Sequence, residues 1–168
     1  MTTAYTFLSS PFGRILVAWS ERGLERVGIR GDNERPDPTW RLDANLECEA
    51  TRQLREYFAG ERRAFDLPMA LDDSPFRMRV WRALERIPFG ETLTYGEVGE
   101  RVGSKNASRA VGLACGANPL PIVIPCHRVI GANGKLVGFG GGLDMKRAIL
   151  TFERSLAPTA GAVGLLGL

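Results

Sequence analysis

The feature that most constrains this chain is an apolar run at residues 122–130, which a Pro-Cys-His-Arg tetrad interrupts. β-Branched residues before Pro125 and after Arg128 are typical of buried strands, so the run predicts two strands separated by a break. Proline breaks the run because it donates no ladder hydrogen bond and fixes its own φ. Cys126 therefore lies at an irregular point of buried chain, beside His127, the only histidine of the sequence.

Cys126 is open to two interpretations. A single cysteine in an apolar run is most often a small buried hydrophobic residue. The adjacent His127 and Arg128 favour the second interpretation, because a neighbouring imidazole or guanidinium stabilises the nucleophilic thiolate. Any imidazole chemistry in this chain has to use His127, since there is no other histidine. The Cys-His pair points to nucleophilic chemistry, but such pairs are also common by chance.

Composition and charge narrow the class of protein. The 168 residues, 44% hydrophobic and 24% charged, are enough for one good core or two small ones. Residues 1–73 carry 10 Lys and Arg against 13 Asp and Glu (net −3), whereas residues 74–168 carry 12 against 6 (net +6). A basic C-terminal half indicates a polyanionic partner such as nucleic acid. A solvated basic surface without a partner explains the charge equally well.

The sequence carries no targeting or membrane signal. Residues 1–10 lack the basic and apolar regions of a signal peptide, and no apolar run reaches the length of a membrane-spanning helix. Three cysteines, an odd number without a dense framework, are typical of the reducing cytoplasm. We therefore expect a cytoplasmic protein.

The N-terminal half predicts a small α+β unit without a cluster of catalytic residue types. Three segments rich in β-forming residues and separated by turn residues predict an antiparallel meander. These segments are residues 5–9, 14–19 and 24–29. Apolar residues then recur every four positions from 46 to 58, as in an amphipathic helix that ends at Gly60. A short strand is expected at about residues 65–67.

The C-terminal half opens with helix signals. Ser74 is a residue type preferred at the N-cap of a helix, and Pro75 is one preferred at the first helical position. Thr94 and Glu97 have the spacing of a capping box and predict a second short helix. After a turn, the small residues at 107–117 predict a third. The last two helices have the helix-turn-helix pattern, whose second helix enters a DNA groove. Alone this is weak evidence, since most short helix pairs bind nothing.

The residues after the central run predict a turn, a loop and a last helix. Residues 131–135 have the composition of a hairpin turn, with 136–137 as its return strand. The glycine series at 138–142 lacks the ending of a phosphate-binding loop and the dinucleotide-binding spacing, so we expect no nucleotide cofactor. The last helix is expected from residue 143 or 144 to 153. The tail at 157–168 is expected to be poorly ordered.

Several motifs recur together in the C-terminal half. They are Phe-Gly-Glu and Thr-Tyr-Gly within 89–96, Arg-Ala-Val-Gly at 109–112, Gly-Ala-Asn-Pro at 116–119, Pro-Cys-His-Arg-Val-Ile at 125–130 and Gly-Gly-Leu at 141–143. In this order they resemble the O6-alkylguanine-DNA alkyltransferases, also called methylated-DNA-protein-cysteine methyltransferases. The resemblance covers residues 76–153 well and is looser in the N-terminal half.

This resemblance implies the fold class and the reaction. The class is α+β, with an N-terminal ribonuclease-H-like α/β domain (1–73) that contains the three-stranded antiparallel sheet. A C-terminal winged helix-turn-helix domain (74–156) binds DNA and carries the catalytic residues, and the tail (157–168) follows. Family members bind the minor groove of double-stranded DNA and flip the damaged base into a pocket. The alkyl group of O6-alkylguanine, and of O4-alkylthymine, passes irreversibly to a cysteine of the protein, without a cofactor.

The resemblance also assigns roles to five residues. Cys126 is the alkyl acceptor, His127 deprotonates it through a water molecule, and Glu153 orients the imidazole, which is the arrangement of an activated nucleophile. Asn118 braces the active-site turn. Tyr95 crowds the target phosphate and donates to the purine, with a half-buried helix residue as the alternative.

Arg109 is implied to fill the gap left by the extruded base. A phosphate contact or a solvated charge are its alternatives. The implied DNA-binding residues are Tyr95, Ala107, Ser108, Arg109, Ala110, Gly112 and Arg128. The implied pocket residues are Tyr95, Pro121, Val129, Phe139, Gly140 and Gly141. Cys115, without an adjacent imidazole, is expected to serve packing.

Other classes stay open. A non-catalytic protein could recognise alkylated bases or regulate transcription through the same helix-turn-helix, but alkyltransferase-like binders replace the acceptor cysteine that this chain retains. A cysteine hydrolase is disfavoured, since no second histidine supports it. Some relatives hold zinc in the N-terminal domain. Here that domain has only Cys48 and no histidine, so we expect no metal. A monomer is expected, with cooperative assembly on DNA left open.

Overall fold

The N-terminal half is built on the predicted meander. The computed structural model describes residues 2–157, so the tail expected at 157–168 lies, apart from its first residue, outside the described residues. Strands β1 (Ala4–Ser10), β2 (Gly13–Ser20) and β3 (Gly23–Gly28) pair antiparallel in the order β3-β2-β1. A fourth strand, β4 (Arg41–Leu42), adds in parallel to β1. The meander is confirmed, and the two-residue β4 is too short to leave a sequence pattern.

One helix covers this sheet. Helix α1 (Glu49–Phe58) packs on β1 and β2, and its residues Ala50, Leu54 and Tyr57 are buried in the core. The strand expected at 65–67 is absent. Instead, Pro68 and Ala70 pair with Leu24 at a single bridge, with backbone N···O distances of 2.9 Å. Proline cannot donate to a ladder, which limits the pairing to this point.

Four α-helices build the described part of the C-terminal half, residues 74–157. They are α2 (Pro75–Glu85), α3 (Tyr95–Arg101), α4 (Ser108–Gly116) and α5 (Leu143–Leu156). Thr94 Oγ1 accepts from the Glu97 N–H at 3.1 Å, so the predicted capping box begins α3. The buried Trp81 indole of α2 donates to the Ala114 carbonyl of α4 at 2.9 Å. This contact orients α4 as the second helix of the helix-turn-helix.

The central run is not the pair of strands that its composition predicts. Residues 122–124 form a turn closed by an isolated bridge between Pro121 and Ile124, and Ile122 has φ +75°. Asn118 explains the turn: its Nδ2 donates to the Ile124 carbonyl at 2.8 Å and its Oδ1 accepts from the Leu120 N–H at 2.9 Å. A side-chain amide therefore makes the hydrogen bonds that a neighbouring strand would otherwise supply.

Only the second half of the run is a strand. Cys126–Arg128 form one 3₁₀ turn, and β6 (Val129–Ile130) then pairs in parallel with β5 (Leu93–Thr94). The turn at 131–135 forms, with a hydrogen bond of 2.7 Å from the Gly131 N–H to the Lys135 carbonyl. Residues 136–137 are not its return strand, since the Val137 carbonyl accepts from side chains of α3 and α5.

The two halves share one apolar core. Buried residues of the sheet and α1 are continuous with those of α2, α4 and the central run. The Val27 N–H of β3 donates to the Pro119 carbonyl at 3.0 Å, which places the end of β3 beside the central run. None of the helices within residues 2–157 is both long and apolar enough to cross a membrane.

Candidate active site

Cys126 lies at the wall of a cavity between the two halves. The cavity has a volume of about 580 Å³. The thiol-bearing residue is 8% exposed and sits in the 3₁₀ turn that Asn118 supports. The C-terminal half lines the cavity with Tyr95, Gly112, Cys115, Asn118, Pro119, Pro121, Cys126 and residues 138–140, and the N-terminal half with residues 26–30 and Glu34.

Behind Cys126, a buried hydrogen-bond chain links His127 to Glu153. His127 Nε2 lies 2.8 Å from Glu153 Oε2, and both residues are 0% exposed. An ionised carboxylate only accepts hydrogen bonds, so Nε2 carries the ring proton and Nδ1 presents a lone pair. Among the described residues, none provides a hydrogen-bond partner for the buried Nδ1. The imidazole is therefore held as a base with its accepting nitrogen free.

Arg128 does not belong to the DNA-contacting surface that the resemblance implied. Its side chain is buried, with Nε 2.8 Å from Glu153 Oε1 and Nη2 2.9 Å from Oε2. Its Nη1 donates to the Ile87 carbonyl at 2.6 Å. A bidentate guanidinium of this kind neutralises the buried carboxylate and fixes its plane. We therefore reassign Arg128 to the support of Glu153.

Burial and charge shift the pKa values of Cys126, His127 and Glu153. Burial raises the pKa of the Cys126 thiol, against the hydrogen bond from Asn118 and the positive charge of Lys146. Burial lowers the pKa of His127, against the hydrogen bond to Glu153. Burial alone would raise the pKa of Glu153, but hydrogen bonds from His127 and Arg128 hold it well below its usual range. The ground state is therefore a neutral thiol and a neutral imidazole beside a carboxylate.

Tyr95 and Lys146 form a second polar group on the cavity side. The Tyr95 hydroxyl donates to the Val137 carbonyl at 2.8 Å, and burial raises the pKa of Tyr95 to about 12. Lys146 is only 1% exposed, and its Nζ donates to the carbonyls of Val137 (3.1 Å) and Gly138 (3.3 Å). Burial lowers the pKa of this ammonium. These contacts hold residues 138–142, the glycine loop, against α3 and α5.

Sequence reasoning missed two polar residues of the site, Lys146 and Tyr57. Lys146 lies four positions before the buried Leu150 and seven before Glu153, a spacing that puts all three on one helical face. That spacing was the available signal. Tyr57, whose hydroxyl donates to Glu153 Oε2 at 2.6 Å, left no signal, because its partner lies 96 positions away.

The implied DNA-binding and pocket residues are only partly brought together. Ser108, Arg109 and Ala110 are exposed on the first turn of α4, and Ala107 before it is half-buried. Tyr95, Gly112, Pro121, Phe139 and Gly140 line the cavity, whereas Val129 and Gly141 do not. Val129 is fully buried in β6. Within residues 2–157, no three His, Cys, Asp or Glu side chains group as they would around a metal ion.

Comparison with known families covers nearly the whole chain. Residues 3–71 match the family described as "6-O-methylguanine DNA methyltransferase, ribonuclease-like domain". Residues 75–155 match "6-O-methylguanine DNA methyltransferase, DNA binding domain". A methylated-DNA-protein-cysteine methyltransferase of Methanosarcina acetivorans is 47% identical over 90% of this chain and 98% of its own length. The protein of the same name from Mycobacterium tuberculosis H37Rv is 45% identical, over 92% and 94%.

Solved structures agree with these matches. The crystal structure of the M. tuberculosis O6-methylguanine methyltransferase is similar with a TM-score of 0.86 and 43% identity, over 97% of this chain and 99% of that one. The structure of M. tuberculosis OGT in complex with DNA has a TM-score of 0.84 and 43% identity, over 96% and 99%. The similarity therefore extends over both halves that enclose the cavity.

Proposed function

Because the chain belongs to the 6-O-methylguanine DNA methyltransferase family, we propose that Cys126 is the alkyl acceptor of its repair reaction. The protein is a DNA-binding methylated-DNA-protein-cysteine methyltransferase, which reverses damage directly by moving an alkyl group from DNA to its own cysteine. One observation carries the assignment to Cys126: its neighbour His127 is a buried base with Nε2 held by Glu153 at 2.8 Å. Cys48 and Cys115 have no adjacent imidazole.

The transfer is a displacement at carbon. The Cys126 proton passes through a water molecule to His127 Nδ1, and the resulting imidazolium is stabilised by Glu153. The thiolate Sγ attacks the alkyl carbon in line with its bond to the base oxygen. An S–C bond forms as the C–O6 bond breaks, and the electron pair stays on O6. The guanine anion is then protonated at N1, and the proton held by His127 balances this uptake, so that the normal base is restored and His127 is neutral again.

The product explains why each molecule acts once. The thioether formed on Cys126 has no feasible leaving route, so the free thiol is not regenerated. The reaction is therefore stoichiometric, and one protein molecule is consumed for each lesion. O6-alkylguanine is the proposed substrate, and O4-alkylthymine a second one.

Helix α4 is the element that contacts damaged DNA beside the cavity. We place α4 in the minor groove, with the target base flipped into the cavity and Arg109 filling the gap. Small residues on α4 support this placement, because Ala110 and Gly112 let the helix backbone approach closely. The positive net charge of the C-terminal half supports it through phosphate neutralisation. The protein is proposed to act as a monomer in the cytoplasm, where its three free thiols remain reduced.

The decisive experiment is a mass measurement. The protein is incubated with duplex DNA that carries a single O6-methylguanine, and intact and peptide masses are recorded. We expect one added methylene on the Cys126 peptide, saturating at one per molecule and absent in Cys126→Ala. Cys115→Ala, which removes the other thiol lining the cavity, is the matched control and keeps the transfer. Tight binding without a mass change would move the protein to the non-catalytic recognition class.

A further inference from the structure

Tyr57 connects the N-terminal half to the catalytic carboxylate. It lies in the last turn of α1, is 0% exposed, and its hydroxyl donates to Glu153 Oε2 at 2.6 Å. Four rings surround it, with centroid distances of 5.7 Å to Phe58, 5.5 Å to Phe65, 6.1 Å to Phe89 and 5.6 Å to Phe152. This aromatic packing fixes the position of the Tyr57 hydroxyl oxygen beside Glu153.

The Tyr57 hydroxyl shares its acceptor oxygen with the catalytic imidazole. Glu153 Oε2 receives His127 Nε2 at 2.8 Å, the Tyr57 hydroxyl at 2.6 Å and Arg128 Nη2 at 2.9 Å. The other oxygen, Oε1, receives Arg128 Nε at 2.8 Å. Hydrogen bonds to a charged acceptor are stronger than neutral ones. The hydroxyl therefore fixes the carboxylate and also takes up part of the negative charge that faces the imidazole.

We propose that Tyr57 is a positioning residue for alkyl transfer, whose hydroxyl holds Glu153 against His127 and keeps the imidazole neutral and ready to accept the Cys126 proton. This inference rests on the proposed function of Cys126. It is separate from DNA contact, because Tyr57 is buried in the N-terminal half.

Several groups act on this imidazole besides Tyr57. The charged and titratable ones that face it are Glu153 and Lys146 of α5, and its neighbours Cys126 and Arg128 on the 3₁₀ turn. Of these, only Glu153 favours the imidazolium while the Cys126 thiol is neutral, since Arg128 and Lys146 are cations. The Tyr57 hydroxyl weakens Oε2 as an acceptor. It therefore lowers the pKa of His127, as the two cations do.

The test is Tyr57→Phe in the full-length chain. The single-turnover rate of methyl transfer to Cys126 is measured across the acidic and neutral range. We expect the acid limb to move upward by about one pH unit, because the loss of one donor leaves more charge on Oε2 and raises the pKa of His127. The rate above the limb is retained. A merely structural role would lower the rate at every pH without moving the midpoint.

Two further variants and an NMR titration keep the test decisive. Tyr5→Phe is the matched control, since Tyr5 lies on β1 with its ring against Phe7, and it leaves the profile unchanged. Ring-fluorinated tyrosine at position 57 keeps the hydroxyl as a stronger donor and moves the limb downward. Because His127 is the only histidine, isotopic nitrogen labelling also reports its titration directly by NMR.

The outcomes separate the two proposals. Equal His127 midpoints in wild type and Tyr57→Phe, with methyl transfer intact in wild type, would overturn the role of Tyr57 alone. A wild-type protein that binds the lesion but gains no methyl group would instead overturn the proposed function.

Discussion

Burial opposes charge separation at the Cys126–His127 pair. It raises the pKa of the thiol and lowers the pKa of the imidazole, so the neutral pair is favoured until a substrate arrives. Lys146 and Asn118 act in the other direction on Cys126, since both lower its pKa. Glu153 also favours the ionised pair, because it raises the pKa of His127. The Cys126 thiol is therefore not stored as an exposed thiolate, which protects it from adventitious reaction.

The pH dependence of stability follows from His127. Folding depresses its pKa below the ordinary value of 6.5, so the stabilising contribution is present above that pH and is lost as pH falls toward the folded value. As pH falls below 6.5, the unfolding free energy is expected to decrease by up to about 1.4 kcal/mol per pH unit until the folded pKa is reached. Urea unfolding at a series of pH values measures the slope. His127→Gln should abolish it, and a slope retained in that variant would assign it to other groups.

At the scale of elements, the turn after α4 places Cys126, the proposed alkyl acceptor. Ile122 is held at φ +75°, a conformation that β-branched residues rarely adopt. The hydrogen bonds of Asn118 to Leu120 and Ile124 hold the chain there. Cys126 consequently begins a 3₁₀ turn instead of continuing a strand, and its side chain reaches the cavity.

Asn118→Ala tests this element. Loss of both amide hydrogen bonds removes the acceptor of the Leu120 N–H and leaves the Ile124 carbonyl with the Cys126 N–H as donor. This is expected to destabilise the fold by about 1–3 kcal/mol. The alkyl-transfer rate should fall as well, because Cys126 loses its support. Denaturation and single-turnover assays measure the two effects. Asn133→Ala, at an exposed turn position, is the control, and an equally small effect of both substitutions would contradict the role of Asn118.

At the scale of the whole molecule, the site belongs to both halves. The cavity is lined by the end of β3 as well as by α4 and the glycine loop. The Tyr57 hydrogen bond and the Val27–Pro119 backbone contact cross between the halves. The N-terminal half therefore contributes directly to the geometry around the cavity and Glu153, while the C-terminal half is the DNA-binding domain.

Arg109→Ala tests the division between DNA contact and chemistry. Repair of duplex DNA should weaken more than reaction with a free O6-alkylguanine base, since only the duplex requires a gap to be filled. The salt dependence of duplex binding should decrease by about one counterion if Arg109 also neutralises a phosphate. Arg41→Ala, exposed on β4, is the matched control. Equal losses on duplex and free base would remove the extrusion role.

The sequence by itself determined the elements and residues whose signals are local. Turn glycines and strand composition predicted the meander, caps predicted the starts of α2 and α3, and adjacency in the chain brought Cys126 and His127 together. The tetrad and its neighbouring motifs also identified the family. Each of these signals depends on residues within a few positions of one another, where backbone preference and periodicity determine the outcome.

Only the tertiary structure decided the partners of the site. Apolar composition predicted a strand at 122–124, but a side-chain amide made a turn there. Arg128 was expected on the DNA surface, yet a carboxylate 25 positions away holds it inside. The role of Tyr57 could not be predicted, because its partner Glu153 lies 96 positions away in the sequence. A buried polar group is satisfied by whichever partner packing brings near, and no local pattern records that partner.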